Sequence, residues 1–158
     1  MIRCIAVGKL KEKYWQAAFQ EYEKRLKPYT KIEIIEIADE ACPTSAKEAE
    51  KERVKQIEGA KILEKIHDDE VVIALDLHGK SYSSEELSQM IEETFTYKTD
   101  KIVFVIAGSL GYDTKVLERA DIRWKLSDCT FPHQIVRVLW IEQVYRAYKI
   151  MKNEQYHK

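Results

Sequence analysis

Short aliphatic, β-branched runs alternate along this chain with longer charged stretches. The runs Ile2–Val7, Ile32–Ile37, Val71–Leu75 and Ile102–Ile106, with a weaker one near Ile122–Leu126, predict five strands. Between them, helical spacing of apolar residues predicts helices at about Lys13–Leu26, Ala46–Ile66, Ser84–Phe95, Thr114–Arg119 and Gln134–Met151. Strands apolar at nearly every position need cover on both faces. The pattern therefore predicts an α/β fold with a mostly parallel sheet flanked by helices on both faces.

Several boundaries have a chemical cause. Ser83 and Ser84 precede Glu85 and Glu86, so a hydroxyl caps the first turn while carboxylates meet the positive end of the helix dipole. Pro132 suits the first turn of the last helix, where its missing N–H costs nothing. Gly8, Gly79, Gly108 and Gly111 are expected just after strands, where a chain turning over a ligand benefits from lacking a Cβ. Gly59, inside the charged second helix, reads as a local weak point, and Asp39–Pro43 as a loop. The last helix is apolar nearly all round, from Ile135 to Ile150, and must be buried on more than one side.

At 158 residues and 45% hydrophobic content, the chain is expected to form one domain, 1–158. No apolar run is long enough to span a bilayer, and Ile2–Val7 is too short for a signal peptide, so a cytoplasmic location with no membrane partner is expected. Cys4, Cys42 and Cys129 lack metal-ligand spacing, and no histidine pair is spaced for a metal, so reduced thiols and no metal are expected. The net charge of −1 does not favour nucleic acid, but its distribution does more. From Arg119 to Lys158 there are eight basic residues against four acidic ones, whereas from Glu33 to Glu58 there are eight acidic against four basic. Local clustering governs phosphate affinity, although a solvated helix face gives the same bias.

Ligands of open parallel sheets gather beyond the carboxyl ends of the strands. Three loops meet that rule: Leu75–Lys80, Ile106–Gly111 and Leu126–His133. The second is a poor dinucleotide fingerprint, since only Gly108 and Gly111 are present, and on its own it reads as a tight turn. No phosphate-binding G-x-x-x-x-G-K-[ST] motif occurs.

In this order the three loops resemble the RlmH family of the SPOUT methyltransferase superfamily. The resemblance runs from Ala6-Val7-Gly8-Lys9 through Leu75-Asp76, Gly79-Lys80 and Phe104-Val105-Ile106. It is densest in Thr130-Phe131-Pro132-His133-Gln134, Arg137-Val138, Glu142–Ala147 and Tyr156-His157-Lys158. It implies S-adenosylmethionine-dependent methylation of N3 of a pseudouridine in 23S rRNA within the ribosome, by a homodimer, with no DNA partner. It also implies a C-terminal deep trefoil knot, the chain after the fourth main strand threading a loop. Donor contacts then fall on Leu75, Ala107, Gly108, Leu126, Ser127, Asp128, Cys129, Thr130 and Phe131. The family usually has glycine at Ala107, serine at Lys125 and an apolar Met or Leu at Cys129, so these departures bear on donor affinity. With negative φ, alanine at 107 is harmless.

The sulfonium of the donor is already an activated electrophile, so positioning can supply most of the rate. Of the residues the resemblance makes catalytic, His157 is the candidate base or orienting group, because imidazole titrates near neutrality. Tyr156 is a candidate to hold the target base, and Arg146 to hold phosphate or, like Arg137, to form an intersubunit ion pair. His133 is expected to make a structural hydrogen bond. In the family's homodimer, the tail of one subunit would complete the other's site. The alternative is a non-catalytic ribosome- or RNA-binding module of the same fold; a generic nucleotide-binding protein would instead bind ATP or NAD.

Overall fold

The computed structural model describes residues 1–158. Five strands, β1 (Ile2–Val7), β2 (Ile32–Ile37), β3 (Val71–Ser81), β4 (Ile102–Ile106) and β5 (Ile122–Lys125), form one sheet in the order β2-β1-β4-β3-β5. Every pairing is parallel. The helices are α1 (Lys13–Leu26), α2 (Glu48–Lys65), α3 (Ser84–Tyr97), α4 (Thr114–Arg119) and α5 (His133–Met151). This is the α/β sheet flanked by helices that the pattern predicts.

The strand period of two sends alternate side chains to opposite faces. Ile2, Cys4, Ala6, Ile73 and Phe104 meet α1, α3 and α5 in the larger core, where Trp140 stacks on Phe19 at 6.3 Å and meets Phe104 edge-on at 5.5 Å. Ile5, Val7, Val72, Val103 and Val105 meet Ile62 of α2 and Val116 of α4 on the other face. The all-round apolar α5 is explained in part by this layering, because it lies between α1 and α3 and buries Trp140, Ile141, Val144 and Ala147. Ile135, Val138, Leu139 and Ile150 are left half-buried. No helix is long and apolar enough to cross a membrane.

Four local expectations are revised. The Asp76–Lys80 segment is not a free loop: β3 continues to Ser81, and after an irregularity Lys80 and Ser81 pair with Trp124 and Lys125. Gly79 lies within that segment rather than after a strand. A Cβ there would sit 2.9 Å from the Trp124 nitrogen and closer still to the Arg123 carbonyl, so the strand contact itself requires glycine. Gly59 is a packing residue rather than a weak point, since an added Cβ would meet the Asp113 Cβ at 2.7 Å. Pro132 is the N-cap of α5 rather than part of its first turn, its ψ of 147° being extended. The Ser83 cap is fully formed, with Ser83 Oγ accepting from the Glu86 N–H and Glu86 returning the bond to the Ser83 N–H.

At the amino end of the sheet, Arg3 bonds Glu70 at 2.5 Å and Glu33 at 2.7 Å. Arg3 and Glu70 are both buried, and the Glu70 carboxylate also accepts from the His67 N–H. The pair closes the end of the sheet opposite the site.

Candidate functional site

Beyond the carboxyl ends of β3, β4 and β5, three connections converge on the start of α5. Between them lies a cavity of about 480 Å³, a size typical of small-ligand sites. Leu75, Ala107, Gly108, Leu126, Ser127, Cys129, Thr130 and Phe131 all line it, so eight of the nine residues expected to touch the donor share one wall. The ninth, Asp128, does not. Its carboxylate points out to solvent and takes a 2.6 Å ion pair from Lys125, which also holds it below the usual carboxylate range. Lys125 thus holds the acid away from the cavity.

The walls are largely apolar. Leu75, Ile106, Leu126 and Val136 line them, while Leu77 and Phe131 remain 52% and 36% exposed. An aromatic, uncharged ring system fits such walls, with Ser127, Thr130 and the loop amides as polar partners. The largely buried Asp76 is already committed to Arg123 at 2.5 Å and to the His78 N–H at 3.1 Å. These features fit an adenosine-containing donor.

The glycine turn explains its own composition. The Gly111 N–H bonds the Gly108 carbonyl at 3.1 Å, and Gly111 has a φ of 90°, which favours glycine. Gly108 does not need a positive φ; it needs space, since a Cβ there would lie 3.1 Å from Glu58 Oε1 and 3.2 Å from Val7 Cγ1. Ala107 is not among the positive-φ residues, so its methyl introduces no backbone strain.

Two residues that sequence reasoning missed organise this region. The Tyr112 hydroxyl is shared between the Leu75 carbonyl at 2.7 Å and the Val105 carbonyl at 2.6 Å. It ties β3 to β4 directly beneath the cavity, and burial pushes the phenol well above its ordinary pKa. Glu58, buried in α2, faces Gly108 from the other side. The lone Gly59 beside Glu58 was the available signal that this part of the charged helix packs closely. Nothing in the local pattern marked Tyr112.

A smaller chamber of about 190 Å³ adjoins the cavity and shares Gly108, Ser109, Leu110 and His133 with it. His133 is exposed and lines both spaces; no hydrogen bond holds it, contrary to the structural role expected of it. Arg137 is buried beneath the chamber, where its guanidinium bonds Glu36 at 2.9 Å and donates to the carbonyls of Val7 and Gly8. Within this chain it anchors α5 to the end of β1.

The three tail residues meet one another elsewhere. After α5 the chain reverses at Asn153, whose φ is 51°, and returns along the helix. Arg146 Nη1 lies 3.2 Å from His157 Nδ1, and His157 Nε2 lies 2.6 Å from Glu85. Arg146 and the Tyr156 hydroxyl both bond Glu142, and the Arg146 guanidinium lies over the Tyr156 ring at 4.7 Å. Burial, with Tyr22 and Glu142 alongside, raises the Tyr156 pKa. None of the three lines the larger cavity. Arg146 stands ten residues along α5 from Val136, the last residue of that helix to line the cavity, about 15 Å of helix rise. No group of His, Cys, Asp or Glu side chains is arranged to hold a metal ion. Residues 1–157 match the family described as "Predicted SPOUT methyltransferase".

Proposed function

The chain belongs to the SPOUT methyltransferase family, and from that premise we propose that it methylates N3 of a pseudouridine in 23S rRNA within the ribosome, as one domain acting in a cytoplasmic homodimer. SPOUT methyltransferases take the methyl group from S-adenosylmethionine. The observation that carries the finer reading is the convergence of Leu75, the Ala107-Gly108 turn and Leu126–Phe131 on one cavity, because these are the segments that the RlmH resemblance assigns to the donor.

In this reading the apolar walls take the adenine, and the loop amides with Ser127 and Thr130 orient the ribose. When bound, the donor supplies a methyl carbon activated by its sulfonium; the residues supply position and exclude water. The trefoil knot belongs to the same proposal. It is supported by β5 lying beside β3, with Gly79 close against the Arg123 backbone, and by α5 returning between α1 and α3.

The homodimer is supported by the half-buried Ile135, Val138 and Leu139 and the exposed Phe131 and Leu77 around the cavity end of α5. With Arg146 about 15 Å along α5 from the cavity of its own subunit, the tail cluster would reach a donor across such an interface. Arg146, Tyr156 and His157 then hold and orient the target nucleotide in the partner's site. A preformed ribosomal surface suits a subunit of net charge −1, which offers limited phosphate affinity of its own.

Two measurements test this. Calorimetry should detect S-adenosylmethionine binding, and no heat at millimolar donor would refute donor use. Mass mapping of rRNA from a deletion strain should show one missing methyl group on a pseudouridine; an unchanged pattern would refute the substrate.

A further inference from the structure

The chamber beside the donor cavity contains one buried acid whose bonding is incomplete. Glu58 is 5% exposed, and its Oε2 accepts from the Glu40 N–H at 3.1 Å. Its Oε1 has no hydrogen-bond partner, lines the chamber and lies against Gly108, on the wall that the chamber shares with the donor cavity. A carboxylate oxygen that reaches an opening from a buried side chain is a strong acceptor for a donor placed there. At about 190 Å³, the chamber has room for a single pyrimidine-sized ring.

We propose that this chamber receives the methyl-acceptor base and that Glu58 accepts the proton of its ring N–H. The inference rests on the proposed function, since it presumes a base whose reacting nitrogen carries a hydrogen. As that nitrogen bonds the methyl carbon and the carbon–sulfur bond of the sulfonium breaks, the proton passes to Glu58 Oε1. The positive sulfonium and the negative carboxylate disappear together, leaving a neutral thioether, an N-methylated base and a carboxylic acid. The proton then returns to solvent through the chamber mouth.

The surroundings suit a base of this kind. Burial, with Asp39 and Glu40 nearby, raises the Glu58 pKa above its ordinary value, and Lys61 opposes that rise. Lys9 and Lys11 of the β1–α1 connection, Cys42, and His133 and Arg137 of α5 also belong to the lining. The Arg137 guanidinium is spent on Glu36 and two carbonyls. Glu58 is thus the chamber's buried acid with a free oxygen at the shared wall, whereas His157 in its own subunit is held by Glu85 and Arg146. The tail trio then holds the nucleotide, and Glu58 moves the proton.

The test uses full-length protein and ribosomes from the deletion strain. Wild-type single-turnover methylation should rise with pH through the Glu58 titration. Glu58→Gln should bind S-adenosylmethionine within about threefold of wild type by calorimetry, yet lose at least about 100-fold in rate, the low end of general-base effects, together with that pH rise. A Glu58→Gln rate within fivefold of wild type, or an unchanged pH profile, overturns the inference. So does a tenfold loss of donor affinity with an unchanged rate at saturating donor, which would assign the chamber to the donor's amino-acid arm. If Glu58→Gln does not fold, Glu58→Asp decides: a slower rate that keeps the pH rise supports the role, and an unchanged rate refutes it. If wild-type protein binds donor but methylates no ribosomal pseudouridine, the substrate reading itself has failed and the inference falls with it.

Discussion

Replacing Tyr112 by phenylalanine removes one oxygen and leaves the ring in place, which isolates what the hydroxyl does. That oxygen bridges the Leu75 and Val105 carbonyls at 2.7 and 2.6 Å. Its loss removes the one donor that the two carbonyls share, a cost of about 1–3 kcal/mol. In a chain of this size each kcal/mol lowers Tm by about 2–4 °C, so the expected drop is about 2–12 °C. Leu75 also walls the donor cavity. If the freed end of β3 relaxes into that space and must be re-ordered on binding, about 1.4 kcal/mol of the loss appears as a tenfold weaker donor Kd. Thermal unfolding and calorimetry with S-adenosylmethionine read the two effects separately. Tyr97→Phe, at a position 82% exposed, is the control and should change neither. A Tyr112→Phe protein with Tm within about 1 °C of wild type and the same Kd would refute the claim that this hydroxyl braces the site.

Three further outcomes are expected. Gly79→Ala should cost at least about 3 kcal/mol, or prevent folding, because its methyl would be driven into the Arg123–Trp124 backbone; denaturant unfolding of any soluble product measures it, and a loss under 1 kcal/mol would contradict the close strand contact. Glu70→Gln leaves the buried Arg3 with the more exposed Glu33 as its one charged partner, and should cost about 1–3 kcal/mol in denaturant unfolding, no loss contradicting the pairing. The same variant should leave donor affinity unchanged, since Glu70 lies at the opposite end of β3 from the cavity. Because the Glu58 pKa is raised in the folded state, folding takes up a proton there. Its contribution to stability is complete below the ordinary carboxylate value and is lost as pH rises through the raised one. Unfolding free energies across that window should therefore fall less steeply in Glu58→Gln than in wild type, and equal slopes would contradict the shift.

The layered α/β sheet was legible in the sequence because its cause is local. A strand covered on both faces must be apolar at nearly every position, and Ile2–Val7 and Ile102–Ile106 are. The Ser83–Glu86 capping box was readable for the same reason, since both partners lie within one turn. The three loops around the cavity were singled out by resemblance and by the rule that parallel sheets bind at their carboxyl ends. Asp128 shows the limit of that reading, since its carboxylate pairs with Lys125 outside the cavity that its neighbours line.

Sequence by itself determined which segments become strands and helices, the family to which the whole chain is matched, and the loops that could face a ligand. Tertiary structure decided what those segments do to one another. It made Gly59 and Gly79 contact points rather than a weak spot and a loop residue. It placed Tyr112 beneath the cavity and Glu58 in the chamber beside it, and it separated the Arg146–Tyr156–His157 cluster from that cavity. The physical reason is sequence distance. Hydrophobic period and capping act within one or two turns of chain, whereas Tyr112 meets Leu75 across 37 residues and Glu40 meets Glu58 across 18, through side chains whose approach only the packed fold specifies.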